Sequence, residues 1–171
     1  MHHTLHEPLF FGPPPGAAPQ GRWDAPAGEY RVCYLAEEAH LAFAETFLRS
    51  PGVPYVHRGY LAERSLARIQ VLRDLQLVAL HGPGLARIGA TAAVVSGLYA
   101  LTRAWSGALH AHPAAPDGIR YRARHDDDGF AVALFDRAAD AVAERERQEL
   151  LDRTNTIELA TWLDRYGTGL L

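Results

Sequence analysis

The chain contains one cysteine and no lysine, and no part of it is apolar enough for long enough to suggest a membrane span. Cys33 on its own can form no internal disulfide and offers no C-x-x-C pair for metal or redox work. It stands in the apolar run Val32-Cys33-Tyr34-Leu35 and reads as a small buried hydrophobe rather than a nucleophile. All 17 basic residues are Arg, a skew shared with Ala that is read as base composition rather than mechanism. No stretch approaches the roughly 18 uncharged residues a membrane helix needs, so no membrane partner is expected. The start, Met1-His2-His3-Thr4, lacks the basic head and apolar middle of a secretory signal, which points to the cytoplasm. The formal net charge is −3, the wrong sign for the footprint of a nucleic-acid binder. Phosphate-cradling Gly loops, dinucleotide fingerprints, nucleophile elbows and H-E-x-x-H pairs are all missing. Nine His residues are scattered. His110 and His112, two apart, would face different ways on a helix, so no metal site is expected.

What is there is a globular composition over 171 residues, 48% hydrophobic and 22% charged, enough for one domain with a substantial core. Residues 1–31 read as irregular, because Phe10-Phe11-Gly12-Pro13-Pro14-Pro15-Gly16 can form neither a regular helix nor a central strand. Tyr30 to Leu35 reads as a short buried strand. Ala39 to Leu48 carries Leu41, Phe43, Ala44, Phe47 and Leu48 at helical spacing, with Ser50-Pro51-Gly52 as its stop. Within Glu63 to Leu80 the pattern is indistinct apart from a strand at Leu75 to Leu80, and His81-Gly82-Pro83-Gly84 follows as a turn. A helix is expected over Ala92 to His110, its apolar side formed by Val95, Leu98, Tyr99, Leu101, Thr102 and Trp105. Gly118–Arg124 and Phe130–Phe135 read as strands joined by the polar hairpin His125-Asp126-Asp127-Asp128-Gly129. The remainder reads as helical, Ala138–Asp152 and then Ile157–Tyr166, with Gly167 as a stop. No internal repeat or long linker divides the chain.

Three residues on consecutive elements stand out: Arg22 in Gly21-Arg22-Trp23-Asp24, Tyr34 near the end of the first strand, and Glu45 in Ala42-Phe43-Ala44-Glu45. A carboxylate among the apolar residues of a helix is costly unless it is paired or put to use. Periodicity leaves that reading open beside a second one, in which Glu45 lies at the helix's solvent edge.

This order of motifs resembles the RES domain family, in which a Gly-Arg-Trp-Asn/Asp segment is followed by a strand ending in Tyr and a helix carrying Glu. The resemblance continues through Leu85-Ala86-Arg87-Ile88-Gly89, Tyr99-Ala100-Leu101-Thr102-Arg103-Ala104-Trp105, Asp117-Gly118-Ile119-Arg120-Tyr121-Arg122, Ala133-Leu134-Phe135-Asp136-Arg137 and Leu163-Asp164-Arg165-Tyr166-Gly167. It spans roughly residues 9 to 171. It implies an α/β (α+β) fold, ADP-ribosyltransferase-like, with a mixed or antiparallel sheet core flanked by helices. It also implies a toxin that cleaves the nicotinamide–ribose bond of NAD⁺. NAD⁺ would be the substrate rather than a cofactor, phosphate or water the acceptor, and a helix-turn-helix antitoxin the partner. A second copy of the chain is a further candidate partner.

On that reading Glu45 stabilises the charge that builds on the ribose. Arg22 grips the pyrophosphate, with Arg122 or Arg124 assisting. Tyr34 stacks on nicotinamide or hydrogen-bonds to it. The family's Ser, in a segment resembling Tyr-Arg-Ser-Arg-His, corresponds here to Ala123 in Tyr121-Arg122-Ala123-Arg124-His125. Many members also carry an aromatic-Arg pair some 20 residues before Gly-Arg-Trp, where this chain has His2 and His3. These departures support an alternative to the toxin enzyme, a catalytically weakened RES domain kept as an interaction module. A protein ADP-ribosyltransferase is the other alternative, since the same site chemistry would serve it.

Overall fold

The structure is a computed structural model describing residues 1–14, 16–50 and 52–171. Pro15 in the proline-rich segment and Pro51 in the expected helix stop lie outside the described residues. The fold is α+β. Its central sheet has four strands in the order β2 (Val32–Ala36), β7 (Phe130–Phe135), β6 (Gly118–Arg122) and β5 (Leu77–Leu80). Strand β7 is antiparallel to its two neighbours, β2 and β6, and β5 runs parallel to β6, so the sheet is mixed. The N-terminal segment is less irregular than its prolines suggest. His2–His3 forms β1, paired with β4 (Arg64–Val71) and through it with β8 (Val142–Glu149) in a second sheet. A third pair joins β3 (Tyr55–Val56) to β9 (Gly169–Leu170).

Strand parity sorts the central sheet into two faces. Tyr34 is opposite Ala133, and Ala133 is opposite Ile119. One face therefore carries Val32, Tyr34, Ala133, Ile119 and Tyr121. It packs with Trp23, Tyr30 and Phe135 against α5 (Tyr99–His110), through Trp105 and Leu109. Cys33, Val132 and Leu134 face the other way, onto Ala138, Ala141 and Val142. Burial pushes the Cys33 thiol up to about 12, so it is the inert small hydrophobe its neighbours suggest. A third cluster joins Phe43 of α1 (Ala39–Phe47), Leu61 of α2 (Arg58–Ala62) and Trp162 of α6 (Thr156–Arg165).

Two expected helices are corrected. The segment Ala92–His110 is not continuous: α3 (Pro83–Arg87) is followed by α4 (Ala93–Ser96), and Gly97 breaks the chain before α5. At Gly97 an added Cβ would collide with the Ala93 carbonyl, so the sharp exit needs a residue without a side chain. The break also re-aims α5. Leu98 is 82% exposed, Tyr99 and Leu101 are exposed, and Thr102 and Ser106 are the buried residues. Ala138–Asp152, expected as helix, is a 3₁₀ segment over Asp136–Ala141 followed by β8. Its Ala, Glu, Arg and Gln favour helix locally. Seven ladder positions with β4, from Ser65↔Glu149 to Val71↔Val142, override that preference.

Asp117 anchors the start of β6. Arg73 forks onto its carboxylate at 2.9 and 2.8 Å, and the Gln76 N–H donates to it at 2.8 Å. The Arg73 guanidinium, aided by that N–H and opposed by burial, holds the carboxyl below its ordinary value of 3.8. The folded state thus prefers the ionised form. This contribution is present above the unfolded value and is lost as pH falls through the folded one. Asp117→Asn is expected to cost about 2 kcal/mol at neutral pH and to shrink the loss of stability below about pH 4. Urea midpoints measured across that range check both.

Among the described residues no helix is long and apolar enough to cross a membrane.

Candidate active site

A cleft of about 700 Å³ has walls that include Arg22, Asp24, Tyr34, Glu45, Tyr99, Tyr121, Arg124 and His125. Sequence-distant elements supply it: the turn before β2, β2 itself, α1, the N-terminus of α5, and the β6–β7 hairpin.

The turn holding Arg22 is built around Asp24, whose carboxylate is buried. One oxygen accepts the N–H groups of Gln20 (2.8 Å) and Gly21, and the other accepts the Tyr34 hydroxyl at 2.8 Å. The same hydroxyl accepts the Trp23 N–H at 2.8 Å. A side chain at position 21 would run into both Tyr34 and Asp24, which explains glycine before Arg22. From α5, Thr102 donates to the Arg22 carbonyl at 2.9 Å, and Arg103 donates to the carbonyls of Gly21 and Pro19 at 3.1 and 3.0 Å. The Arg22 guanidinium donates to the Gly97 carbonyl at 2.7 Å and lies 4.8 Å from the centre of the Tyr99 ring. The glycine break in the helix thus supplies the acceptor that aims Arg22. A cation held over an aromatic face keeps its charge while its position is restricted.

Tyr34 is neutral throughout the physiological range. Burial of its hydroxyl, reinforced by the Asp24 charge, pushes it far above the ordinary tyrosine value. The hydroxyl is engaged by Asp24 and Trp23, while the residue as a whole is 41% exposed, so the ring is the part that faces the cleft.

Glu45 is half-buried on α1. Its Oε1 accepts the backbone N–H groups of Arg124 and of His125, the latter at 3.1 Å. Glu45 thus lies on the partly exposed side of α1 and is also paired, at the wall of the cleft. Burial, with the Glu45 charge close by, raises Tyr121 above its ordinary range. Burial lowers His125 below 6.5, with Arg124 and Arg49 adding to the effect and Glu45 opposing it. The His125 ring is therefore neutral at pH 7 and is expected to titrate below 6.5 in a ring-carbon NMR titration. Glu45→Gln is expected to lower that value further.

The structure brings Arg22, Tyr34, Glu45 and Arg124 together around one space. Arg122 is elsewhere. Parity puts it beside Arg120 on the opposite face, over the Phe130 ring and donating to the Asp127 carbonyl at 2.7 Å. Arg124 escapes that parity because β6 ends at Arg122. Asp24, Tyr99, Tyr121, Arg49 and His125 line the cleft without having been selected from sequence. For Tyr121 a usable signal existed, since Ile119 and Tyr121 alternate with Arg120 and Arg122. Ala123 is buried at 2% exposure and is not among the lining residues. None of the nearby hydroxyl residues Thr91, Ser96 and Ser106 is among the lining residues either. Ser106 is committed to the Trp23 carbonyl at 2.6 Å, and Ser96 to the Ala92 carbonyl at 3.0 Å.

Among the described residues no group of three or more His, Cys, Asp or Glu could hold a metal ion. No solved structure matches the chain. The chain is 34% identical over 112 residues to a protein of Sinorhizobium fredii named "Probable toxin y4kH", a match covering 65% of this chain and 86% of that protein. The family model described as "RES domain" matches residues 1–159, and the chain therefore belongs to the RES domain family.

Proposed function

We propose that the chain is the toxin of a toxin–antitoxin system, that it cleaves the nicotinamide–ribose bond of NAD⁺, and that the cleft around Glu45 does the chemistry. The observation that carries this reading is a fixed carboxylate sharing one cleft with an aimed guanidinium and exposed tyrosine rings. The C1′–N bond breaks with its electron pair leaving on nicotinamide, which neutralises the pyridinium. The ribose is left with oxocarbenium character. Glu45, beside that ring, stabilises the developing positive charge, and the acceptor oxygen of water or phosphate then bonds to C1′ and releases its proton to solvent. Arg22 meets the pyrophosphate, with Arg124 on the Glu45 side. Tyr34 offers a ring face to nicotinamide rather than a hydroxyl, because that hydroxyl is already engaged. The fold assignment that accompanies this reading is ADP-ribosyltransferase-like.

The relative's name supports the toxin role. The family membership supports an antitoxin partner, expected to carry a helix-turn-helix domain. Nucleic acid contact would then come through that partner. A second reading, a weakened domain kept for pairing, is favoured by Ala123, which supplies a buried methyl where the family pattern has a hydroxyl.

Two results are expected. Arg22→Ala should raise KM for NAD⁺ about tenfold, the equivalent of one charge-assisted hydrogen bond, while changing kcat less than about threefold. Steady-state kinetics read the split. In cells, inducing the chain should lower NAD⁺ before growth stops. Growth arrest at constant NAD⁺ would place the toxic action elsewhere.

A further inference from the structure

We infer that Asp126 is a positioning residue for Glu45, acting through the hairpin between β6 and β7. The inference rests on the reading of Glu45 given above. The N–H groups that hold the Glu45 carboxylate belong to Arg124 and His125. Strand pairing does not fix them: β6 ends at Arg122, and the next backbone bond across the hairpin is Ala123 N–H to the Gly129 carbonyl at 3.0 Å. A run of three aspartates beyond that point would have little reason to stay in one conformation.

Asp126 supplies the restraint. Its carboxylate is only 10% exposed and collects donors from outside the hairpin. Oδ2 accepts the Tyr166 hydroxyl at 2.8 Å, Arg165 Nη2 at 3.1 Å and Arg165 Nε at 3.3 Å. Both partners lie at the C-terminal end of α6. His40 Nε2, on the first turn of α1, is 3.9 Å from the same oxygen, and the Tyr166 hydroxyl also reaches the His40 carbonyl at 3.3 Å. Inside the hairpin, Oδ1 accepts the Asp128 N–H at 3.3 Å, and the Asp126 carbonyl accepts the Gly129 N–H at 3.3 Å. Gly129 lies so close to α1 that an added Cβ would strike the Leu41 side chain. One carboxylate therefore binds the hairpin to the end of α6, and the Tyr166 hydroxyl, shared with the His40 carbonyl, continues the link to α1, the helix that carries Glu45. Burial opposes its ionisation, but the Tyr166 and Arg165 donors outweigh burial and keep it charged.

The arrangement is a closed circuit. The α1 helix presents Glu45, the hairpin presents two N–H groups to it, and Asp126 fixes the distance between hairpin and helix. Loosening the circuit should leave the substrate's anchor, Arg22, untouched. A contact that only stabilised the fold would not separate kcat from KM, nor act selectively on two amides.

The experiment compares the full chain with Asp126→Asn and Arg165→Gln. It measures amide hydrogen exchange across residues 123–129 and steady-state NAD⁺ cleavage. Exchange at Arg124 and His125 is expected to rise about tenfold or more in Asp126→Asn. In the same variant kcat should fall about tenfold with KM within about twofold. Arg165→Gln, a change at an exposed side chain, should move both readouts the same way by less. Unchanged exchange at those two amides overturns the inference. So does faster exchange with kcat unaltered. If the unmodified chain cleaves no NAD⁺, the functional reading fails, and the exchange result still decides whether Asp126 holds the hairpin.

Discussion

Glu45→Ala is expected to lower kcat for NAD⁺ cleavage by about 10²–10³-fold, the usual cost of removing a preorganised group that meets transition-state charge. Binding should suffer little, since the carboxylate's main partner is a charge that exists only as the bond breaks. The surrounding geometry makes the variant informative. Glu45 reaches the cleft from the partly exposed side of α1, and its bonds are to the Arg124 and His125 amides rather than to a core group. Removing it should leave the helix folded on Leu41, Phe43 and Ala44, all buried. Glu45→Gln, which retains the shape but loses the charge, should fall nearly as far. Nicotinamide release by chromatography, with circular dichroism to confirm folding, is the measurement. Activity within about threefold of the parent would remove Glu45 from the mechanism.

The second large effect is on stability. Trp23 is fully buried, its ring centre 5.3 Å from that of Tyr121, and it packs among Val32, Ile119 and Phe135. Its backbone is held as well, the N–H by the Tyr34 hydroxyl and the carbonyl by Ser106. Trp23→Ala should therefore open a cavity that the fixed backbone cannot collapse, at a cost of about 3–5 kcal/mol. That is a large part of the roughly 5–15 kcal/mol typical of a domain. Because Tyr121 is also a wall of the cleft, the surviving folded fraction should bind NAD⁺ less well. Urea unfolding gives the stability change directly. A loss below about 1 kcal/mol would mean that the ring is not filling the core.

The resemblance, not local pattern, singled out Arg22, Tyr34 and Glu45, and the structure brings these three to one cleft. Periodicity gave helix α1 its clear apolar spacing but left the place of Glu45 open. The hairpin between β6 and β7 announced itself by an Asp-rich turn between two alternating runs. The failures have tertiary causes. Nothing in Val142–Glu149, a run of good helix formers, reveals that β4 waits as its partner. Spacing over Ala92 to His110 puts Leu98 and Leu101 on an apolar side, but Gly97 changes the direction of the chain and leaves both exposed. Arg122 was grouped with Arg124 by sequence proximity, whereas the strand's end between them sends one to each side of the sheet. Asp126, which holds the hairpin side of the site, carries no sequence mark distinguishing it from a surface aspartate. Asp24 is marked only as the end of the Gly-Arg-Trp-Asn/Asp segment, with nothing to show that its carboxylate is buried.

The most direct measurement is the fate of NAD⁺ incubated with the purified, folded chain, with and without inorganic phosphate. Many equivalents of nicotinamide per protein molecule are expected, together with ADP-ribose or its phosphorylated form according to the acceptor. Intact NAD⁺ after prolonged incubation with folded protein would contradict the assignment of the Glu45 cleft as an NAD⁺-cleaving site and leave the pairing module as the better reading.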